Sequence, residues 1–206
     1  LLADFPPAPS YRVVHLGDYS IVVTQSRGGQ VQAFHNVCRH RASGLVDGPS
    51  GHCNVRLTCR YHAWSYDLRG NLAGIPFRDT FVGLDPAEHG LKPVEHEIYH
   101  GFIFVRLAGD GPSVAEMMVP YESEIAPYRM EELVPLGRVT LRPRTVNWKN
   151  IADNYSDSLH INVAHPGLTR LFGQSYGIEA QPWIDKMWGT LRDEPSRNWS
   201  ERLYQQ

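Results

Sequence analysis

Two pairs of metal-binding side chains stand out in this chain. Cys38 and His40 are separated by one residue, Cys59 and His62 by two, and eighteen residues lie between the pairs. Two thiolates and two imidazoles, delivered as matched Cys/His pairs, suit a [2Fe–2S] cluster with Cys on one iron and His on the other. Imidazole ligation raises the potential of such a cluster above that of an all-Cys one. The same four side chains could also make a tetrahedral structural zinc site, but zinc fingers put Cys with Cys and His with His. Here each arm carries one of each, in the order Cys then His. Electron transfer is therefore the first expectation.

A second constellation lies near residue 150, where Asp157, His160 and His165 fall inside Asn147–Pro166. Two His plus one carboxylate form the facial triad of non-heme Fe(II) oxygenases, which leaves positions open for O₂ and substrate. Two His so close together are more often surface or packed residues. Their weight comes from sharing a chain with the first motif. On a helix Asp157 and His160 would share a face. His165 is five residues beyond His160, so a helix must loosen or end between them. Pro166 favours an ending, because the residue before a proline is pushed out of helical geometry. Asp153 and Asn154 are lesser candidates for groups supporting His160.

Three runs carry a resemblance: Phe34–Arg41, Cys59–Gly70 and Asn147–Pro166. Together they resemble the large (alpha) subunits of the Rieske non-heme iron oxygenases, the aromatic-ring-hydroxylating dioxygenase family with its monooxygenase and demethylase relatives. That family often has Pro where this chain has Arg39 and Arg60, and Gly where it has Ala63. The resemblance implies an α+β protein: a β-rich Rieske domain over residues 1–110, then a helix-grip catalytic domain beginning at 111–206. It implies Cys38, His40, Cys59 and His62 on the cluster, and His160 and His165 on a mononuclear Fe(II). Asp157 would couple the two centres by reaching a cluster His of a neighbouring subunit in a homotrimer or α3β3 assembly. NAD(P)H electrons would arrive through a reductase, in some systems with a ferredoxin, and O₂ would be activated on a small organic, aromatic substrate. The family's third iron ligand is a carboxylate far downstream. Asp185, Asp193 and Glu194 lie too close to match it, and a chain running from Leu1 to Gln206 is expected to lack both ends. The alternative from another class is a Rieske ferredoxin-like carrier without oxygenase chemistry. A zinc-stabilised binding module is a further one.

Composition fits a soluble enzyme. The 206 residues, 42% hydrophobic, suffice for one or two cores. A net charge of −2 gives no basic field for nucleic acid or an anionic membrane. No apolar run reaches spanning length. The chain has three cysteines, too few for a disulfide framework, which points to a reducing, cytoplasmic compartment. Cys53, inside the loop between the pairs, is read as a free cysteine, with a fifth ligand or redox thiol as the other options. His15, His35, His52, His89, His96 and His100 follow no ligand spacing.

The elements that must position these residues are strands in the first half. Tyr11–His15, Tyr19–Thr24 and Val31–Phe34 are rich in β-branched and aromatic residues and are separated by glycine turns. Asp67–Gly70 reads as a hairpin tip, and Gly101–Leu107 as a buried strand. Both ligand pairs then sit on loops at strand ends, with His40 and His62 near the tip. Trp64 and Tyr66 read as core packing that also shields the cluster. Ala108–Pro112 marks a boundary, and Ser113 with Glu116 a capping box that opens a helix which Pro120 interrupts. Val139–Val146 reads as a strand feeding the helix of the iron segment.

Overall fold

The computed structural model describes residues 1–137, 144–173 and 175–205. They gather into two compact units, Leu1–Arg138 and Val139–Gln206.

In the first unit, β1 (Ser10–Leu16), β2 (Tyr19–Gln25), β3 (Val31–His35) and β4 (Ser50–His52) make an antiparallel sheet in the order β3-β2-β1-β4. The expected strands are all present, and Gly17 and Gly29 supply the positive φ (58° and 78°) that their turns need. Side chains alternate across a strand, and β2 is buried on both faces. Val22 joins Phe34, Leu45, Leu57, Trp64 and Tyr66 on one side, while Ile21 and Val23 join Val31, Ala33 and Val94 on the other. Burying a side chain of this size contributes about 1.5–3 kcal/mol, so β2 anchors two cores at once. The first of them contains Cys38 and Cys59.

β5 (Arg56–Thr58), β6 (Ser65–Asp67) and β7 (Leu72–Gly74) form a second antiparallel sheet. Its hairpin tip falls where the sequence predicts. Asp67 Oδ1 accepts from the Arg69 and Asn71 backbone N–H groups, both at 2.9 Å, and Gly70 has φ 85°. The tip folds back on the core: a Cβ at Gly70 would stand 2.4 Å from the Phe34 ring. The Gly70 carbonyl also accepts from Leu91 N–H at 2.8 Å.

β8 (Glu95–Tyr99) and β9 (Phe102–Arg106) form a two-stranded hairpin. The strand expected over Gly101–Leu107 is there, but half-buried. Ile103 and Val105 pack on the second core while Phe104 faces outward and is exposed. Next come α1 (Val114–Met118), a 3₁₀ turn at Pro120, and α2 (Glu122–Ile125). The Ser113/Glu116 capping box forms as expected. This helical segment lies beyond the division read at Ala108–Pro112, yet it is tied to the hairpin and belongs to the first compact unit. Glu97 accepts from Val114 and Ala115 N–H at 2.6 and 2.9 Å, and Arg106 donates to the Gly111 and Pro112 carbonyls.

His100, at the hairpin turn, clamps the same segment. Its Nε2 lies 3.0 Å from Glu122 Oε1 and its Nδ1 3.4 Å from Glu131 Oε2. Only the imidazolium donates from both nitrogens. Desolvation pulls its pKa down, but the bonds to Glu131 and Glu122 outweigh that, and the net shift is upward. Tyr99, which donates to Glu122, is pushed up to about 12 by desolvation and stays protonated near neutrality. A raised folded pKa stabilises fully below the unfolded value of about 6.5 and loses that contribution as pH rises through the folded value. Thermal melts should thus show the unfolding temperature falling as pH rises above the ordinary imidazole value of about 6.5. His100→Asn, which tolerates the local φ of 45°, should flatten that part of the profile. An unaltered profile in the variant would refute the clamp.

The second unit holds α3 (Trp148–Ser156), α4 (Ile161–Ala164), α5 (Pro166–Phe172), the hairpin β10 (Gly177–Ala180) and β11 (Asp185–Trp188), and α6 (Trp199–Tyr204). The strand expected over Val139–Val146 lies for most of its length outside the described residues. Asn147 caps α3, its Oδ1 accepting from Lys149 N–H at 3.0 Å, which gives the Asn-Trp-Lys run a structural role. Arg170 on α5 pairs with the buried Glu201 of α6 at 2.6 Å. A β-rich unit is thus followed by one of mixed α and β. Among the described residues no helix is long and apolar enough to cross a membrane.

Candidate metal centres

The first Cys/His pair leaves β3 on a loop held by Asn36. That buried side chain donates to Ser20 Oγ (3.2 Å) and the Val46 carbonyl (3.0 Å), and accepts from Val46 N–H (3.0 Å). The second pair lies between β5 and β6. The two loops share one hydrogen-bond pattern. Cys38 N–H donates to Ser43 O (2.8 Å) and Ala42 N–H donates to Cys38 O (3.0 Å). Cys59 N–H donates to Trp64 O (2.9 Å) and Ala63 N–H donates to Cys59 O (2.9 Å). Each loop turns through an alanine in the left-handed region, Ala42 at φ 55° and Ala63 at φ 56°. An L side chain there costs about 1–2 kcal/mol, so the surrounding structure imposes the turn.

These loops bring the four residues together. Cys38 and Cys59 are buried, at 3% and 2% exposure. His40 is half-buried and His62 exposed, with ring centroids 4.7 Å apart. The thiols thus lie inward and the imidazoles outward. Burial pushes the Cys38 thiol up, partly offset by its contact with Tyr66. A bound metal reverses that balance, because coordination requires the thiolate. Burial, then neighbouring His62 and Arg41, hold the His40 imidazole below its ordinary value and so neutral, as a ligand must be.

Aromatic side chains frame the site. Trp64 stacks flat on His40 at 4.8 Å and 8°, with Phe81 edge-on to both. Tyr66 Oη lies 3.4 Å from Cys38 Sγ and accepts from Arg39 N–H at 3.0 Å. Sequence reasoning gave Trp64 and Tyr66 a packing role and missed this polar link between the two loops. Arg39 Nε is buried with no hydrogen-bond partner, a donor that fits an acceptor-bearing group beside it. Among the described residues no three His, Cys, Asp or Glu side chains gather as a single-ion site. The four donors come instead as a buried Cys pair and an outer His pair, a set that could hold a two-iron cluster. Cys53 belongs to the same core, its thiol pushed up by burial, and none of the ligand-loop hydrogen bonds involves it.

In the second unit the structure corrects one expectation. α3 ends at Ser156, and Asp157 is extended at φ −105° and ψ 115°. Asp157 and His160 therefore do not share a helical face. Asp157 Oδ1 accepts from Leu159 N–H at 2.9 Å, and this local turn competes with continued helix. The predicted contact survives by another route: Asp157 Oδ2 lies 3.3 Å from His160 Nδ1. The Leu159 and His160 bonds hold the Asp157 carboxyl below its usual range. An ionised Asp157 requires Nδ1–H on His160, which leaves Nε2 free for a metal. α4 ends at Ala164, as Pro166 predicted, and His165 links α4 to α5. The His160 and His165 rings meet at 5.2 Å. Asp153 and Asn154 lie exposed on α3, and Asp185 accepts from Ser156 Oγ at 2.9 Å.

Comparison with known proteins fits this geometry. Residues 3–92 match the Rieske [2Fe-2S] domain, and residues 130–206 match the catalytic domain of the ring hydroxylating alpha subunit. The chain belongs to the oxygenase subunits of the Rieske non-heme iron oxygenases. It is 34% identical to the glycine betaine monooxygenase oxygenase subunit of Pseudomonas aeruginosa, over 82% of this chain and 39% of that one. It is 34% identical to the carnitine monooxygenase oxygenase subunit of Escherichia coli, over 88% of this chain and 45% of that one. A solved structure of the quaternary ammonium Rieske monooxygenase CntA matches with a TM-score of 0.80 at 25% identity, covering 93% of this chain and 53% of CntA. The chain thus spans about two fifths of the length of these curated relatives. The matched Rieske oxygenase domains imply a [2Fe–2S] cluster and a mononuclear iron.

Proposed function

We propose that this chain is the terminal oxygenase component of a multicomponent monooxygenase. Cys38, His40, Cys59 and His62 hold the cluster, and His160 and His165 hold the iron with a carboxylate. Bound, these groups supply one-electron transfer and O₂ activation, fed from NAD(P)H by a reductase and, in some systems, a ferredoxin. The observation that carries this reading is the meeting of the two Cys/His pairs on like loops in one unit, with the Asp157–His160–His165 arrangement in the other. The residues around them orient. Tyr66 ties the first ligand loop to β6, Trp64 fixes the plane of His40, and Asp157 fixes the tautomer of His160. The ferredoxin-like carrier leaves the second arrangement without a use.

The substrate we infer is a quaternary ammonium compound, from the glycine betaine and carnitine monooxygenases among the relatives. This replaces the aromatic substrate suggested by the motifs alone. The working assembly is a homotrimer or α3β3, in the cytoplasm. The test is to supply the holoenzyme with reductase, NAD(P)H and O₂, then glycine betaine, carnitine or benzoate. Product from a quaternary amine supports the reading, and product from benzoate alone overturns the substrate. About three irons per chain would mark the oxygenase and about two the carrier.

Asp157→Asn isolates the electrostatic part of the proposal, because it changes charge while nearly preserving shape. The variant should keep its cluster and most of its mononuclear iron yet lose at least about tenfold in coupled turnover, the scale of outer-partner changes. Rapid mixing of the reduced holoenzyme with O₂ and substrate checks it. Cluster oxidation at the wild-type rate would remove Asp157 from the coupling.

A further inference from the structure

Arg39 stands between Cys38 and His40, in a setting unlike that of an ordinary surface arginine. Its backbone N–H donates to Tyr66 Oη at 3.0 Å, the same oxygen that lies 3.4 Å from Cys38 Sγ. Its position is therefore fixed by the group that ties the two ligand loops together. Its side chain is half-buried, and Nε is the one buried side-chain nitrogen or oxygen among the described residues with no hydrogen-bond partner. A guanidinium stays charged, and a buried N–H without an acceptor carries the full desolvation penalty of that donor. Its counterpart in the second pair contrasts with it. Arg60 is exposed and reaches Asp47 at 3.1 Å across the surface. One arginine has an ordinary solvated partner, and the other, flanked in sequence by Cys38 and His40, buries a donor that has none.

We propose that Arg39 Nε–H donates to a sulfur of the [2Fe–2S] cluster and raises its reduction potential. The proposal rests on the assignment of Cys38, His40, Cys59 and His62 as the ligands. With two ferric irons, two sulfides, two thiolates and two neutral imidazoles, the oxidised group is neutral overall, and one added electron makes it an anion. No bond breaks and no proton moves in that step. A fixed cation and its N–H both favour the anion over the neutral form, and hydrogen bonds to cluster sulfurs are a recognised determinant of potential.

The test compares Arg39→Lys and Arg39→Gln with the parent holoenzyme in redox titrations followed by visible absorbance and circular dichroism. Lys keeps the charge and loses the rigid Nε–H, while Gln loses both. Arg39→Gln should shift the reduction equilibrium by at least about tenfold toward the oxidised form, about 59 mV for one electron. Arg39→Lys should shift it in the same direction by less. Parental iron and acid-labile sulfide content, with an unchanged EPR line shape on reduction, would show the ligand set intact. A failure of the Arg39 proposal would then leave the ligand assignment standing. If Gln prevents loading, Lys carries the test. Wild-type potentials in both variants would overturn the proposal. So would a wild-type potential in Lys with a fall in Gln, which would leave charge alone. Loss of the cluster from both variants would assign Arg39 to folding and overturn it as well.

Discussion

Cys59→Ser will leave the holoenzyme colourless in the visible range and without a reduced-cluster EPR signal. Cys59 is 2% exposed and its loop closes on it through two backbone hydrogen bonds, so no water has access to replace the lost sulfur. A serine hydroxyl at that depth would have to ionise to serve as a ligand, which burial opposes. Because a ligand set of this kind binds only in the folded state, the binding energy it loses is folding energy. The variant should therefore also melt at a lower temperature. Cys53→Ser is the matched control: another buried cysteine of the same core, 8% exposed, outside both pairs. It should keep the full spectrum and lose only the about 1–3 kcal/mol typical of burying a hydroxyl. A Cys59 variant with the parental spectrum would sink the ligand assignment. A bleached Cys53 variant would restore the fifth-ligand reading of that residue.

His160→Ala should abolish oxygenation, by more than the 10- to 100-fold typical of outer-partner changes, while the Rieske spectrum stays intact. The two motifs lie in separate compact units, and the hydrogen bonds that shape the Cys38 and Cys59 loops stay within the first. Iron per chain should fall from about three to about two. His165→Ala should behave alike, because the two rings meet at 5.2 Å and neither imidazole alone completes a facial set. Parental turnover and iron content in either variant would make the α3–α5 segment structural only.

What could be read from the chain alone follows the physics of each signal. The strands of the first half announced themselves by β-branched and aromatic runs between glycines, and β1, β2 and β3 fall where those runs predict. The Asp67–Gly70 tip and the Ser113/Glu116 box were legible because turn and cap chemistry is local. The end of α3 was not. Nothing in residue spacing says that Asp157 will bond Leu159 N–H rather than continue the helix. The helical segment after Pro112 ties back to Glu97 and His100 across 17 and 22 residues, contacts that no local signal announces. Of the metal centres, the ligand spacing was visible, but the polar frame was not. Tyr66 bridges 27 residues of sequence to reach Arg39, and the matching left-handed turns at Ala42 and Ala63 lack the glycine that would have flagged them.

Hairpin tips are ordinarily where a protein accepts new residues most freely. Gly70 occupies such a tip, yet its backbone lies against the Phe34 ring so closely that a methyl group would overlap it, in a conformation already strained for any L side chain. Phe34 sits four residues before Cys38 on the strand that launches the first ligand loop. A substitution at this turn would therefore be felt at a ligand far from it in sequence. Among natural or engineered variants of this chain, position 70 should drift as little as the cysteines do, although it carries no chemistry of its own.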